Sequence, residues 1–219
     1  MAERNYQSYE SIHTQAEVYA LVEDVTKTKV VEAERIDYGE VNAVYSIQTN
    51  DDKYILKISP QKRGKNNLLQ EAWAFDKCRD VGVPMPEVIS VDTSLSKFPE
   101  AYLLTKKIPG TPGGEMKFTD EEVIDFMRQI GHYLYLIHSI PVSGFGEINQ
   151  IEDQFRGMHD TLWQSVISDF ERSWWVDVLT AHDVLSKEDL EEYREMLEKH
   201  KDLFRLETAS LTHGDIGPR

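Results

Sequence analysis

The 219 residues carry 39 Asp and Glu against 24 Lys and Arg, a formal charge of −15, with 40% apolar and 10% aromatic residues. That balance can fill a core and excludes a disordered chain, while the acidic excess excludes a nucleic-acid backbone as the main ligand, since most of the surface would repel it. No run reaches the ~18 apolar residues of a membrane span, MAERNYQSYESIH lacks the cationic-then-apolar order of a signal peptide, and the one cysteine, Cys78, has no internal disulfide partner, so a cytoplasmic protein without membrane or nucleic-acid partners is expected.

Along the chain, residues 8–24 place Ile12, Ala16, Tyr19 and Ala20 near one face at helical spacing and predict an opening amphipathic helix. From Lys29 the pattern turns β-rich: KVVEAERIDYG, NAVYSIQT and KYILKIS, with TNDD as the turn between the last two, predict an antiparallel meander. A helix over 66–81 carries Leu68, Leu69, Ala72, Trp73 and Phe75; Gly82 ends it, and Pro84 and Pro86 prevent its return. EVISVD and AYLLTKKI supply two more strands, and the turn-dense IPGTPGG is the candidate hinge.

Beyond the hinge the pattern is helical. Thr119 and Glu122 stand in capping-box order, ahead of a stripe of Val123, Met127, Ile130, Leu134 and Ile137 that predicts a central, core-facing helix. TLWQSVISDFERSWWVDVL predicts another helix, in which Trp163, Trp174 and Trp175 fit packing roles. SKEDLEEYREMLEKHKDLF follows, with Ser186 and Asp189 as a second capping box and an acidic solvent face. The expected architecture is α+β in two lobes. Residues 1–107 form a five-stranded antiparallel sheet with helices, and residues 108–219 form a mostly helical, incomplete lobe.

Three features carry chemistry. Lys57 lies on a strand between Leu56 and Ile58, with Glu71 fourteen residues on in the next helix. A carboxylate that holds an ammonium pre-orients it to grip nucleotide phosphate oxygens; the same two residues also suit an edge-strand lysine and an ordinary surface glutamate. In DYGEVNAVYSI, Gly39 and the small residues near Asn42 and Ala43 let backbone N–H groups approach phosphates, although one glycine in a hairpin also serves simply as a turn former. In LTHGDIGPR, Asp215 can orient an acceptor hydroxyl and take its proton, with Gly214 giving the turn its freedom and His213 holding the loop by hydrogen bonds. His132 and His138, six apart on one helix, share no face as metal ligands would, and no Cys/His group has metal-ligand spacing.

The order of strand lysine, helix glutamate, hinge, long apolar helix and His-x-Asp loop resembles the aminoglycoside phosphotransferase and choline-kinase-like family, whose catalytic loop reads H-G-D. The resemblance spans residues 29–219, through YGEVNAVYSI, YILKIS, QEAWAFDKCRDVGVPMPEVI, YLLTKKIPGTP, SGFGEI and LTHGD. It implies a protein-kinase-like fold and transfer of the γ-phosphate of ATP or GTP to a hydroxyl of a small molecule, an antibiotic or a metabolite, with antibiotic resistance as one option. By the same resemblance the adenine lies under the sheet against the backbone of Thr105, Lys106, Lys107 and Ile108. Lys57 then meets the phosphates, and Asp215 faces the acceptor.

The family's catalytic loop continues to an asparagine that ligates magnesium, five residues after the aspartate; here Ile216 to Arg219 fill the intervening positions, so the Mg²⁺ ligands are expected beyond Arg219. The expectation is little turnover by these 219 residues alone. The rival reading is a catalytically inactive relative that binds a nucleotide or a partner protein through its first lobe. A third is an acidic α+β domain with no nucleotide site.

Overall fold

A computed structural model describes residues 13–36, 42–59, 65–172 and 174–214. The first helix, α1 (Gln15–Thr26), starts where Thr14 and Glu17 close a reciprocal capping box, so His13 and Thr14 stand outside the helix predicted from residue 8, and residues 8–12 of that prediction lie outside the described residues. Lys27 ends it in the left-handed conformation, its amide donating to the Glu23 carbonyl.

Five strands follow: β1 (Val30–Ile36), β2 (Ala43–Thr49), β3 (Lys53–Ser59), β4 (Val88–Asp92) and β5 (Ala101–Lys106), in the spatial order β1-β2-β3-β5-β4 and antiparallel throughout. Side chains alternate between faces, and the register decides which residues share one. Tyr45, Leu56 and Leu104 lie in one row, and Ala43, Ile58 and Tyr102 in the next. These rows join Val18, Leu21 and Val22 of α1 in the larger core. A fully buried leucine such as Leu56 contributes roughly 1.5–3 kcal/mol.

The opposite face carries Val44, Lys57 and Leu103 in one row, with Ser46, Ile55 and Thr105 in the next. Helix α2 (Lys65–Asp80) covers part of it, burying Leu68 and Ala72 against Ala101 and Leu103. Glu71, three residues after Leu68, therefore sits at the edge of the buried stripe and points along the sheet. Near the end of α2, Cys78 is only 3% exposed, and burial pushes its thiol above its ordinary range. Ahead of β5, Glu100 accepts from His13 Nε2 at 2.8 Å, and Phe98 lies 4.5 Å from the His13 ring.

Thr119 caps α3 (Asp120–His138) with Glu122, as expected. Its stripe is not uniformly buried: Val123 and Met127 are 43% and 59% exposed, whereas Ile137 is buried. Apolar periodicity reports the face that wants covering, but among the described residues only the C-terminal end of that stripe is deeply covered.

Packing divides the chain into one unit that runs to Ile137 and takes in His213, and another spanning His138–Thr212. In the second unit β6 (Pro141–Val142) pairs with β9 (Ala209–Ser210), and a hairpin of β7 (Phe145–Ile151) and β8 (Gln154–His159) supports α4 (Leu162–Arg172). The hairpin is absent from the sequence reading, because its turn places Glu152 at φ 56°, where Asn or Gly usually marks the bend. Gly157 lets the chain pass itself closely: a Cβ there would stand 2.3 Å from the Phe145 nitrogen. Helices α5 (Trp174–Ala181) and α6 (Lys187–Lys199) follow, the latter capped by Ser186 and Asp189 as expected. Arg194 of α6 reaches Glu171 of α4 at 2.8 Å, and Trp163 packs 5.7 Å from the Phe204 ring with the Lys201 ammonium over its face.

Candidate functional site

The sheet face that carries Lys57 opens into a cavity of about 650 Å³, within the range of small-molecule sites. Ile36, Ile55, Leu103 and Thr105 line it from the strands, Phe75 and Glu71 from α2, and Lys106 to Pro112 with Glu115 from the segment that leaves the sheet. Apolar side chains next to one fixed ammonium suit a ligand with a flat apolar part and an anionic part.

Lys57 and Glu71 meet on this wall. The ammonium donates to both carboxylate oxygens, at 2.6 and 2.7 Å. Their side chains are 25% and 28% exposed, so the pair is shielded enough to be held and open enough to be reached. The strand register sets Lys57 between Val44 and Leu103, and the Leu68–Ala72 anchor of α2 brings Glu71 opposite.

Thr105, another residue that lines the cavity, is buried, with its side chain on the Lys57 face. The Lys106 amide donates to the Glu87 carbonyl and the Lys107 amide to the Lys53 carbonyl, so the strand end is tied on both flanks. Their side chains are engaged too: Lys106 pairs with Asp52 at 2.9 Å, which holds its ammonium above the usual lysine range, and Lys107 donates to Ser46 Oγ at 2.9 Å. Ile108 is exposed, and its amide has no backbone carbonyl partner among the described residues. Among the described residues, the Ile108 amide is therefore a main-chain donor open to a ligand in the segment that leaves the sheet.

The remaining predicted residues divide. Ala43 is fully buried and its side chain belongs to the α1 core, on the face away from the cavity. Asn42 Oδ1 is buried with no hydrogen-bond partner among the described residues. Gly39 and Asp215 lie outside the described residues. His213 is exposed in the segment after β9 and groups with the unit that holds Lys57. Sequence reasoning missed Ile36, Ile55, Phe75 and Glu115; period-two alternation from Lys57 was the available signal for Ile55.

The sequence profile of the phosphotransferase enzyme family matches residues 32–219, nearly the whole chain. The chain belongs to the phosphotransferase enzyme family. Among solved structures, aminoglycoside phosphotransferase APH(4)-Ia, as a thermostable mutant in ternary complex with AMP-PNP and hygromycin B, superposes with a TM-score of 0.59 at 14% identity, covering 85% of this chain and 59% of that one. A protein described as a fructosamine-3-kinase, from Thermobifida fusca YX-ER1, gives 0.54 at 16% identity, covering 90% of this chain and 66% of that one. These likenesses show the fold, a kinase-like α+β architecture, and the chain spans about three-fifths of the length of APH(4)-Ia. No curated protein sequence matches the chain.

Members of such a family are expected to use a divalent cation. Among the described residues no three His, Cys, Asp or Glu side chains converge as ligands, and Glu71 is committed to Lys57, so these residues do not form a magnesium site.

Proposed function

We propose that this phosphotransferase binds ATP or GTP in the cavity beneath its sheet and transfers the γ-phosphate to a hydroxyl of a small molecule. The observation that carries this reading is the bidentate Lys57–Glu71 contact on the wall of an otherwise largely apolar cavity. A purine fits between Ile36, Ile55 and Leu103, with one edge on the Ile108 amide, and the polyphosphate meets Lys57. The fold relative crystallised with AMP-PNP and hygromycin B supports a nucleotide and a small-molecule acceptor as partners.

In the transfer, Asp215 takes the proton of the acceptor hydroxyl as its oxygen bonds to the γ-phosphorus, and the bond from that phosphorus to the β-phosphate oxygen breaks to release the nucleoside diphosphate. Lys57 neutralises charge on the polyphosphate, with Glu71 holding it in place, and His213 steadies the loop that presents Asp215. The acidic balance of the chain, −15, favours a cationic acceptor such as an aminoglycoside over an anionic one.

Titration calorimetry with ATP and GTP tests the binding step. The reading expects saturable binding by the 219-residue chain and at least a tenfold loss in Lys57→Met, on the scale of a charge-assisted hydrogen bond. Absence of nucleotide binding by the unaltered chain overturns it.

A further inference from the structure

A second, smaller cavity of about 200 Å³ lies beside the first on the same face of the sheet. Its walls follow from the strand register. Glu34 stands opposite Ser46; in the next row Glu32 stands opposite Gln48, and Gln48 opposite Lys53. Residues two apart share a face, so both carboxylates come from the β1 side and the Lys53 ammonium from the β3 side, with β2 between. Lys107 stands at the boundary, and among the described residues it alone lines both cavities. Its ammonium donates to Ser46 Oγ at 2.9 Å and keeps two further N–H groups. The cavity is balanced, two carboxylates against two ammoniums, yet among the described residues no ion pair or hydrogen bond engages the side chains of Glu32, Glu34 or Lys53. The cause is distance: β1 and β3 are two strand spacings apart, roughly 10 Å, too far for side chains that leave the sheet in parallel to meet.

We propose that this second cavity binds a zwitterion of the α-amino acid class, with its ammonium between Glu32 and Glu34 and its carboxylate on Lys53 and Lys107. Two charge-assisted hydrogen bonds of about 2.8 Å, one at each end, leave a gap of a few ångström, which is the span from ammonium to carboxylate in such a molecule. A monocation satisfies the two carboxylates but sets its charge against Lys53. A monoanion does the reverse, and the −15 balance of the chain opposes it further. Gln48 donates its amide nitrogen to the Thr49 carbonyl at 2.6 Å and keeps its oxygen to accept from the same ligand ammonium. The volume lies below that of drug-sized sites, which restricts the occupant to a small side chain. The site does not depend on what fills the larger cavity.

The experiment follows backbone amide NMR shifts of the 219-residue chain during titration with L-alanine, L-alaninamide and N-acetyl-L-alanine, repeated on Glu34→Gln and Lys53→Met. L-Alanine is expected to saturate with a Kd on the order of 1 mM and to shift the amides of Glu32, Glu34, Gln48 and Lys53. L-Alaninamide lacks the carboxylate and N-acetyl-L-alanine lacks the ammonium; each should bind about tenfold more weakly, the scale of one hydrogen bond to a charged group. Glu34→Gln should weaken L-alanine by a similar factor and leave N-acetyl-L-alanine no weaker. Lys53→Met should weaken L-alanine and leave L-alaninamide no weaker. Either analogue binding as tightly as L-alanine overturns the assignment, and so does an unaltered L-alanine affinity in either variant. Shifts centred on Ile55 and Leu103 would put the amino acid in the larger cavity and likewise overturn it. So would the absence of any saturable shift with L-alanine at about 10 mM.

Discussion

Both carboxylate oxygens of Glu71 accept from the single ammonium of Lys57, so the cation is fixed in direction as well as in charge. A ligand phosphate meets a donor already aimed, and little rotamer entropy is left to lose on binding. Glu71→Ala should therefore weaken ATP about tenfold even though the charge that contacts phosphate is retained. Glu71→Asp, one methylene short, should recover only part of the loss. Unchanged ATP affinity in Glu71→Ala by titration calorimetry removes the orienting role.

The His13 and Glu100 side chains meet at 2.8 Å and are 5% and 10% exposed. Truncating one partner leaves the other with fewer contacts in a place water scarcely reaches, so His13→Ala should destabilise the first unit by about 2 kcal/mol. Urea unfolding followed by fluorescence measures it. An unaltered midpoint would mean that the contact adds nothing to the folded state.

Among the described residues, three helices open with a hydroxyl residue and a carboxylate in reciprocal contact: Thr14 with Glu17, Thr119 with Glu122, and Ser186 with Asp189. Backbone hydrogen bonds from Thr14 and Thr119 hold Glu17 and Glu122 below their ordinary range, and for Asp189 the Ser186 hydroxyl is the larger cause. A carboxylate depressed in the folded state stabilises fully above its unfolded pKa, about 4, and loses that contribution as pH falls through the folded value. Thr14→Ala and Ser186→Ala should thus lower the guanidinium midpoint at pH 7, and the gap to the unaltered chain should shrink toward pH 3. A gap independent of pH would show that the hydroxyl-to-carboxylate contacts add nothing to the caps, since both variants keep the backbone amides that also donate to Glu17 and Asp189.

A methyl group at Gly157 would enter backbone atoms of Gly144 and Phe145, the nearest at 2.3 Å, which no side-chain adjustment relieves. Gly157→Ala should destabilise the second unit by roughly 1–3 kcal/mol or more. Hydrogen exchange should show the protection lost first in β7, β8 and α4. Full protection there would mean that the hairpin shifts register at little cost.

What the sequence made legible follows from how local each signal is. β2 and β3 stand where alternation placed them, and the Thr119 and Ser186 caps mark helix starts because the hydroxyl and its carboxylate are three residues apart. The Lys57–Glu71 contact was readable from the order of strand and helix, since α2 can bury Leu68 and Ala72 only by turning Glu71 toward the sheet. Glu115 lines the cavity from a short 3-10 turn, Gly113–Glu115, that lies against the Phe126 ring, and that seat was not readable. It depends on a ring thirteen residues after Gly113 and on a backbone approach that leaves no periodic trace. The α3 stripe shows the opposite failure, in which a clear helical period names an apolar face without saying what lies over it.

Cys78 is the chain's sole thiol, and near the end of α2 it is shielded from solvent. Alkylating reagents should pass the folded molecule by and label it only when the structure around the end of α2 opens. The rate of modification thus becomes a built-in clock for opening of the helix that carries Glu71, and slower labelling with ATP present would register ligand tightening without any attached dye.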